Sequence, residues 1–225
     1  MLRVFAKKTG DKRGEMYLYE AIGDSWFGGI TAKAVADSLK AIGAVDVLDV
    51  FLNSPGGSVF EGLAIYNMLQ RFNAKKVVHV DGIAASIAAT VLLAGDERNI
   101  ASNGMVMIHD PWGMSAGTAD EMRKAAESLD KVREVIVDTY VVRTGGKADE
   151  LSAMMSAETW MNAEDALQHG FATAITGAVQ LEAKFPLLDK FAKVPESLRN
   201  QATTVDARLA QMAKRVQQQS MRVTS

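Results

Sequence analysis

A β-rich run over residues 45–52 ends in Asn53-Ser54-Pro55-Gly56-Gly57, and a helical pattern begins two residues later. This junction constrains the fold more than any other segment. A strand that turns at once into a helix cannot pair with its successor as a hairpin, so the next strand must return by a crossover and lie parallel. The same alternation recurs on both sides. Residues 16–22 read as a first strand, residues 30–42 as a helix closed by Gly43, and residues 59–71 as a helix with Leu63, Ile65, Tyr66 and Leu69 apolar. Residues 76–80 form the next strand, ended by Asp81-Gly82, and the Ala-rich run 84–94 reads as a closely packed helix. Short strands at 98–101 and 105–109 follow. The expectation is an α/β fold of repeated ββα and βαβ units with a mostly parallel sheet.

Beyond these units lies one long helix over 118–143, stopped by Thr144-Gly145-Gly146. A shorter helix at 148–155, the segment Glu158-Thr159-Trp160, a helix at 163–169 and a last strand at 171–175 complete the body. After Gly177 the character changes. Residues 181–225 carry eight Lys/Arg against four Asp/Glu, while residues 1–180 carry 17 against 23. Pro186, Pro195 and Gln217-Gln218-Gln219 mark this tail as partly disordered, with a helix expected over 205–216. The expected organisation is an N-terminal extension (1–15), one domain (16–180) and a basic tail (181–225).

Several classes of function drop out. The net charge of −2 gives no reason to expect nucleic acid as a partner. There is no cysteine, which excludes disulfides, thiolate zinc sites and a Cys nucleophile. No apolar run approaches the ~20 residues that span a bilayer, and the charged N-terminus lacks the apolar stretch of a secretory signal. A cytoplasmic protein without membrane partner, cofactor or metal is expected.

Three places carry chemistry. Only Pro55 and Pro111 occur in the first 180 residues, one in the glycine turn and one directly after His109-Asp110. The Ser-Pro-Gly-Gly turn can leave backbone N–H groups facing open space, as an oxyanion requires, although a plain βα turn would use the same residues. Its spacing fits neither a P-loop nor Gly-x-Gly-x-x-Gly. Ser86, among small residues at a helix start, can act as a nucleophile or can be a buried helix serine bonded one turn back. His109, where an apolar strand enters a loop, suits a general base, or an edge histidine bonded locally. His79 is mid-strand and His169 ends a helix, and both read as structural. For a carboxylate to orient the imidazole, Glu158 and Asp165 flank Trp160; Asp110 is adjacent but expected to point to the other side of the chain, and Asp138 belongs to a solvated helix face.

Ser-Pro-Gly-Gly after a strand, Ala-Ala-Ser-Ile-Ala, Met-Ile-His-x-Pro-x-Gly, and a long helix ending Thr-Gly-Gly together closely resemble the ClpP-type serine peptidases of the ClpP/crotonase superfamily. The resemblance covers roughly residues 16–177. It implies Ser86 as nucleophile, His109 as general base, and the N–H groups of Gly57 and Ile87 as oxyanion hole. Glu158 falls where the best-known members have Asp, because Trp160-Met161-Asn162-Ala163 aligns with their aromatic-Leu-Ser-Ala segment. The resemblance further implies acyl transfer on a protein or peptide substrate, and a homo-oligomer, commonly heptameric rings stacked through the long helix and the loop 112–117.

Within the family, Trp26-Phe27-Gly28-Gly29-Ile30-Thr31-Ala32, Gly62-Leu63-Ala64-Ile65-Tyr66-Asn67, His109-Asp110-Pro111-Trp112 and Glu158-Thr159-Trp160 look like the ClpP-like head maturation proteases of tailed phages and prophages. That subtype implies capsid or scaffold proteins as substrates, in the host cytoplasm or prohead interior. Three alternatives stay open: a degradative Clp subunit partnered with an ATPase, a crotonase-like acyl-CoA enzyme, and an inactive assembly ring.

Overall fold

The computed structural model describes residues 5–8, 12–23, 29–179 and 191–195. The chain divides into two units, Met1–Leu181 and Glu182–Ser225. The described elements all belong to the first. The Trp26-Phe27-Gly28 part of the phage-like signature and the expected helix at 205–216 lie outside the described residues.

Two strands open the fold, β1 (Phe5–Lys8) and β2 (Arg13–Leu18), paired antiparallel. The sheet therefore starts earlier than the pattern of 16–22 suggested. Thr31 accepts the Ala34 N–H and starts helix α1 (Ala32–Ile42), whose buried Val35, Leu39 and Ile42 recur at helical spacing. Strand β3 (Val47–Ser54), helix α2 (Val59–Arg71) and strand β4 (Lys75–Ala85) follow. Strands β2, β3 and β4 run parallel, as the glycine turn required.

Strand β4 organises the rest. Its first half pairs with β5 (Glu97–Ala101), and its second half, Ile83–Ala85, leaves β5 and pairs with β6 (Met105–Ile108). The fork lies at Asp81-Gly82, where the β3–β4 register also slips between Leu52 and Ser54. Asn53, 1% exposed, fills that slip by accepting the Ile83 N–H at 3.1 Å. The Ala-rich run is thus not one helix: Ala84 and Ala85 are strand, and the helix, α3 (Ile87–Leu92), begins only after Ser86. Between β3 on one side and β6 on the other, both alanines are fully buried in the sheet, and pairing overrides their helical preference.

The long helix α4 (Ala119–Thr144) starts at a reciprocal cap between Thr118 and Glu121 and ends at left-handed Gly145. Only Ile136, Val137 and Tyr140 are buried on it, so its N-terminal half projects from the body. Helix α5 (Ala148–Ser156), strand β7 (Thr159–Met161), helix α6 (Ala163–Gln168) and strand β8 (Ala174–Thr176) close the order. Strand β7 pairs antiparallel with β6, and β8 pairs parallel with β5. The buried guanidinium of Arg98 joins these ends by donating to the carbonyls of Gly95, Phe171 and Gly170. No helix of the described residues is long and apolar enough to cross a membrane.

One face of β2–β3–β4 packs on the helices through Met16, Leu18, Val50, Leu52, Val78 and Val80, all at most 1% exposed. On the other, Tyr17, Phe51 and His79 are direct neighbours across three strands and stack at centroid spacings of 4.6 and 4.8 Å. His79 also meets Asp49 at 3.0 Å, a carboxylate held as well by Arg13.

Candidate active site

Three strand ends bring Ser86, His109 and Glu158 together. Ser86 directly follows β4, and its N–H donates to the Met107 carbonyl of β6 at 2.8 Å. His109 directly follows β6. Strand β7 pairs with β6 in the register Met107↔Trp160 and Ile108↔Thr159, so His109 and Glu158 flank the end of this ladder, and Glu158 is the leading charge acting on the imidazole. All three lie just outside a strand, in the turns and loop at the ends of β4, β6 and β7.

The Ser86 hydroxyl lies 2.7 Å from His109 Nε2. Ser86 is the N-cap of α3, yet its side chain makes no bond to the helix it caps, because the imidazole takes it instead. Its backbone has φ 58° and ψ −130°, and Glu158 has φ 51°. These are the only non-glycine residues with positive φ among the described residues, and both sit here. Each such conformation costs on the order of 1–3 kcal/mol and persists only where its surroundings enforce it.

The glycine turn presses against Ser86. A Cβ on Gly56 would lie 2.6 Å from both the Ser86 Cβ and the Ala85 carbonyl oxygen, so only glycine lets the turn approach this closely. Gly57 forms an isolated parallel bridge with Ile22. The Ile22 N–H donates to Gly56 O, and the Ser58 N–H donates to Ile22 O, each at 2.8 Å. In a parallel bridge those two bonds bracket Gly57, whose own N–H must point away from Ile22. Ile87 is the first residue of α3, where an N–H has no carbonyl one turn back to bond. Two backbone donors are thus left over on either side of the serine. Helix α2 reaches this spot through Gly62, where a Cβ would lie 2.3 Å from Ile87 Cγ1.

The other carboxylates weighed from the sequence have different work. Asp110 accepts Arg133 Nε at 2.7 Å and the Ser156 hydroxyl at 2.8 Å, tying the strand end to α4 and α5. Asp165 and Asn162 cap α6 reciprocally. Asp138 is exposed on α4. Glu158 alone stands across from the imidazole, and its Oε1 accepts the indole N–H of Trp160 at 3.2 Å. Burial lowers the His109 pKa from its ordinary value, while the negative charges of Glu158 and then Asp110 push it back up. A buried imidazole kept neutral near pH 7 can accept a hydroxyl proton, and a facing carboxylate stabilises the imidazolium that results. Among the described residues no group of three or more His, Asp or Glu side chains is placed to hold a metal ion.

Sequence reasoning did not reach three contributors: Asn53 at the register slip, the Arg133–Asp110 pair, and Trp160 on Glu158. The strand that carries Trp160, only Thr159–Met161, was too short to read.

Comparison with known proteins identifies the family and the fold. A family model described as Clp protease matches residues 11–178. The ATP-dependent Clp protease proteolytic subunit of Bacteroides fragilis is 30% identical over 145 residues, covering 62% of this chain and 70% of that protein. Its counterpart in Bacteroides thetaiotaomicron is 31% identical over 145 residues, covering 62% and 66%. Among solved structures, a point mutant of ClpP1 from Listeria monocytogenes has a similar fold, with a TM-score of 0.64 at 24% identity over 72% of this chain and 91% of that one.

Proposed function

The chain belongs to the Clp protease family and is a serine-type peptidase, and on that premise we propose that Ser86, His109 and Glu158 form its catalytic triad, with the N–H groups of Gly57 and Ile87 as oxyanion hole. The observation that carries the proposal is the 2.7 Å contact between the Ser86 hydroxyl and His109 Nε2, made by a serine on strained backbone beside two unspent amide donors.

The proposed sequence of events is acyl transfer. His109 Nε2 accepts the hydroxyl proton as Ser86 Oγ attacks a peptide carbonyl carbon. The former carbonyl oxygen becomes an anion between the Gly57 and Ile87 N–H groups, and Glu158 stabilises the imidazolium. His109 then returns the proton to the departing amine, leaving the acyl group on Ser86. Water, deprotonated by the same imidazole, attacks the ester through a second oxyanion and frees the acid. Each oxyanion donor stabilises the transition state by about 3 kcal/mol in comparable sites.

The test is covalent labelling with a serine-directed fluorophosphonate. Ser86 should be modified, and Ser86→Ala should lose both labelling and peptidase activity, the latter by on the order of 10⁴-fold or more. An assembled sample that hydrolyses peptide normally with Ser86→Ala would sink the assignment.

For the substrate, the phage-like segments around Gly62, His109 and Glu158 favour capsid or scaffold proteins, processed in the host cytoplasm or prohead interior. A second reading is favoured by the names of the relatives, which are proteolytic subunits of ATP-dependent proteases. Co-expression with a capsid or scaffold protein separates the two. Cleavage that needs Ser86 but no ATPase supports head maturation; proteolysis only with an added ATPase supports degradation.

A further inference from the structure

Glutamate at position 158 poses a geometric difficulty that the structure answers locally. Its carboxylate sits on an arm one methylene longer than that of aspartate, with one more rotatable bond to fix before it can serve a histidine. The backbone is left-handed at this residue, which further limits how the arm can leave the chain. Something must hold its far end.

We propose that Trp160 is a positioning residue for the reaction: its indole N–H grips one oxygen of the Glu158 carboxylate, so that the other is presented to the imidazole of His109. This rests on reading Glu158 as the third triad member. Glu158 lies in the turn directly before β7 and Trp160 two residues on, within the strand, and the indole donates to Glu158 Oε1 at 3.2 Å. The ring is itself fixed, because Trp160 pairs across the sheet with fully buried Met107, two residues before His109. Acceptor and base are thereby referred to the same pair of strands. An indole is well suited to hold a carboxylate, since it offers one donor, no acceptor, and no charge that changes with pH. Phenylalanine would keep the packing and lose the grip.

The experiment compares the full-length protein with W160F, E158Q, E158D and the double variant W160F/E158D. For W160F, kcat is expected to fall about 10-fold with KM unchanged, the size of a lost hydrogen bond to a charged group. The acidic limb of its kcat/KM profile should move to lower pH, because a wandering carboxylate supports the imidazolium less. In the E158D background, W160F should cost less than about 2-fold, since the shorter arm does not reach the indole. A W160F protein whose activity falls only in step with its thermal midpoint, with limb and kcat per labelled Ser86 unmoved, would overturn the proposal. So would equal costs of W160F in both backgrounds. E158Q tells this failure from that of the triad reading. If E158Q leaves kcat and the limb unchanged, Glu158 is not the third member; if it lowers kcat while W160F is silent, only the role of Trp160 falls.

Discussion

Ser86 and Glu158 occupy backbone conformations ordinarily left to glycine. At Ser86 the enforcing contacts are the β6 carbonyl on its N–H and the Gly56 turn against its Cβ. The meeting of Ser86 and His109 was foreshadowed in the sequence by their settings: small residues around the one, a strand end and Pro111 beside the other. From the residues alone Glu158 stood level with Asp165 on either side of Trp160, and only the family resemblance singled it out. Its neighbourhood to the imidazole rests on a left-handed turn leading into a three-residue strand, and neither is written in the local sequence. The buried imidazole also sets a pH dependence. The His109 pKa lies below its ordinary value of 6.5, so the acidic limb of kcat/KM should fall below pH 6.5. Stability follows the same sign: between the lowered folded value and 6.5 the unfolded chain binds more protons, so the contribution of His109 is fully present above 6.5 and lost as pH falls through the folded value. Kinetics and thermal melts from about pH 5 to 8 check both. An acidic limb above 6.5 would contradict the burial argument.

At the scale of elements, the glycine turn was informative because its consequence is topological: β3 must lie parallel to β4, and it does. The Ala-rich run 84–94 misled because alanine is a good helix former with no intrinsic memory of its surroundings. What decides Ala84 and Ala85 is that strands cover both edges of β4 there, a non-local fact. That switch from strand to helix across Ser86 also explains why α2 must approach so near. Gly62 is the point of contact, with no room for a methyl group before Ile87. Gly62→Ala should therefore push α2 and α3 apart, costing about 1–3 kcal/mol of stability. Because Ile87 carries a proposed oxyanion donor, activity should fall more than the loss of folded protein accounts for. Denaturant melts, with kcat measured per fluorophosphonate-labelled serine, separate the two effects; an unchanged kcat would mean that α3 shifts without disturbing the site.

At the scale of the whole molecule, the isolated chain leaves an awkward surface. The first half of α4 has no buried residue, although a solitary helix of that length is marginal in water. Met122 and Val135 on this helix are each 50% exposed, Val142 is 80% exposed, and Trp112 and Met114 in the loop before it are exposed as well. Single exposed apolar residues mean little, but a projecting helix and its leading loop that share them point to a contact between subunits. The ring expected from the family would place its stacking contact here, and seven copies of 24.2 kDa would give a particle of about 170 kDa, or twice that for two stacked rings. Light scattering on the eluting protein should find one of these masses. Met122→Asp and Val135→Asp introduce charge at the proposed contact while sparing the monomer core, so the stacked particle should split at concentrations where the parent stays intact. Activity then reads how much the site depends on assembly. The loop 112–117 follows closely on His109-Asp110, and Arg133 of α4 holds Asp110 in place, so a disturbed α4 has a direct route to His109, the proposed general base. The split protein is expected to lose peptidase activity together with mass. A monodisperse monomer of 24.2 kDa with full activity would remove the ring from the account and leave α4 as an ornament of one subunit.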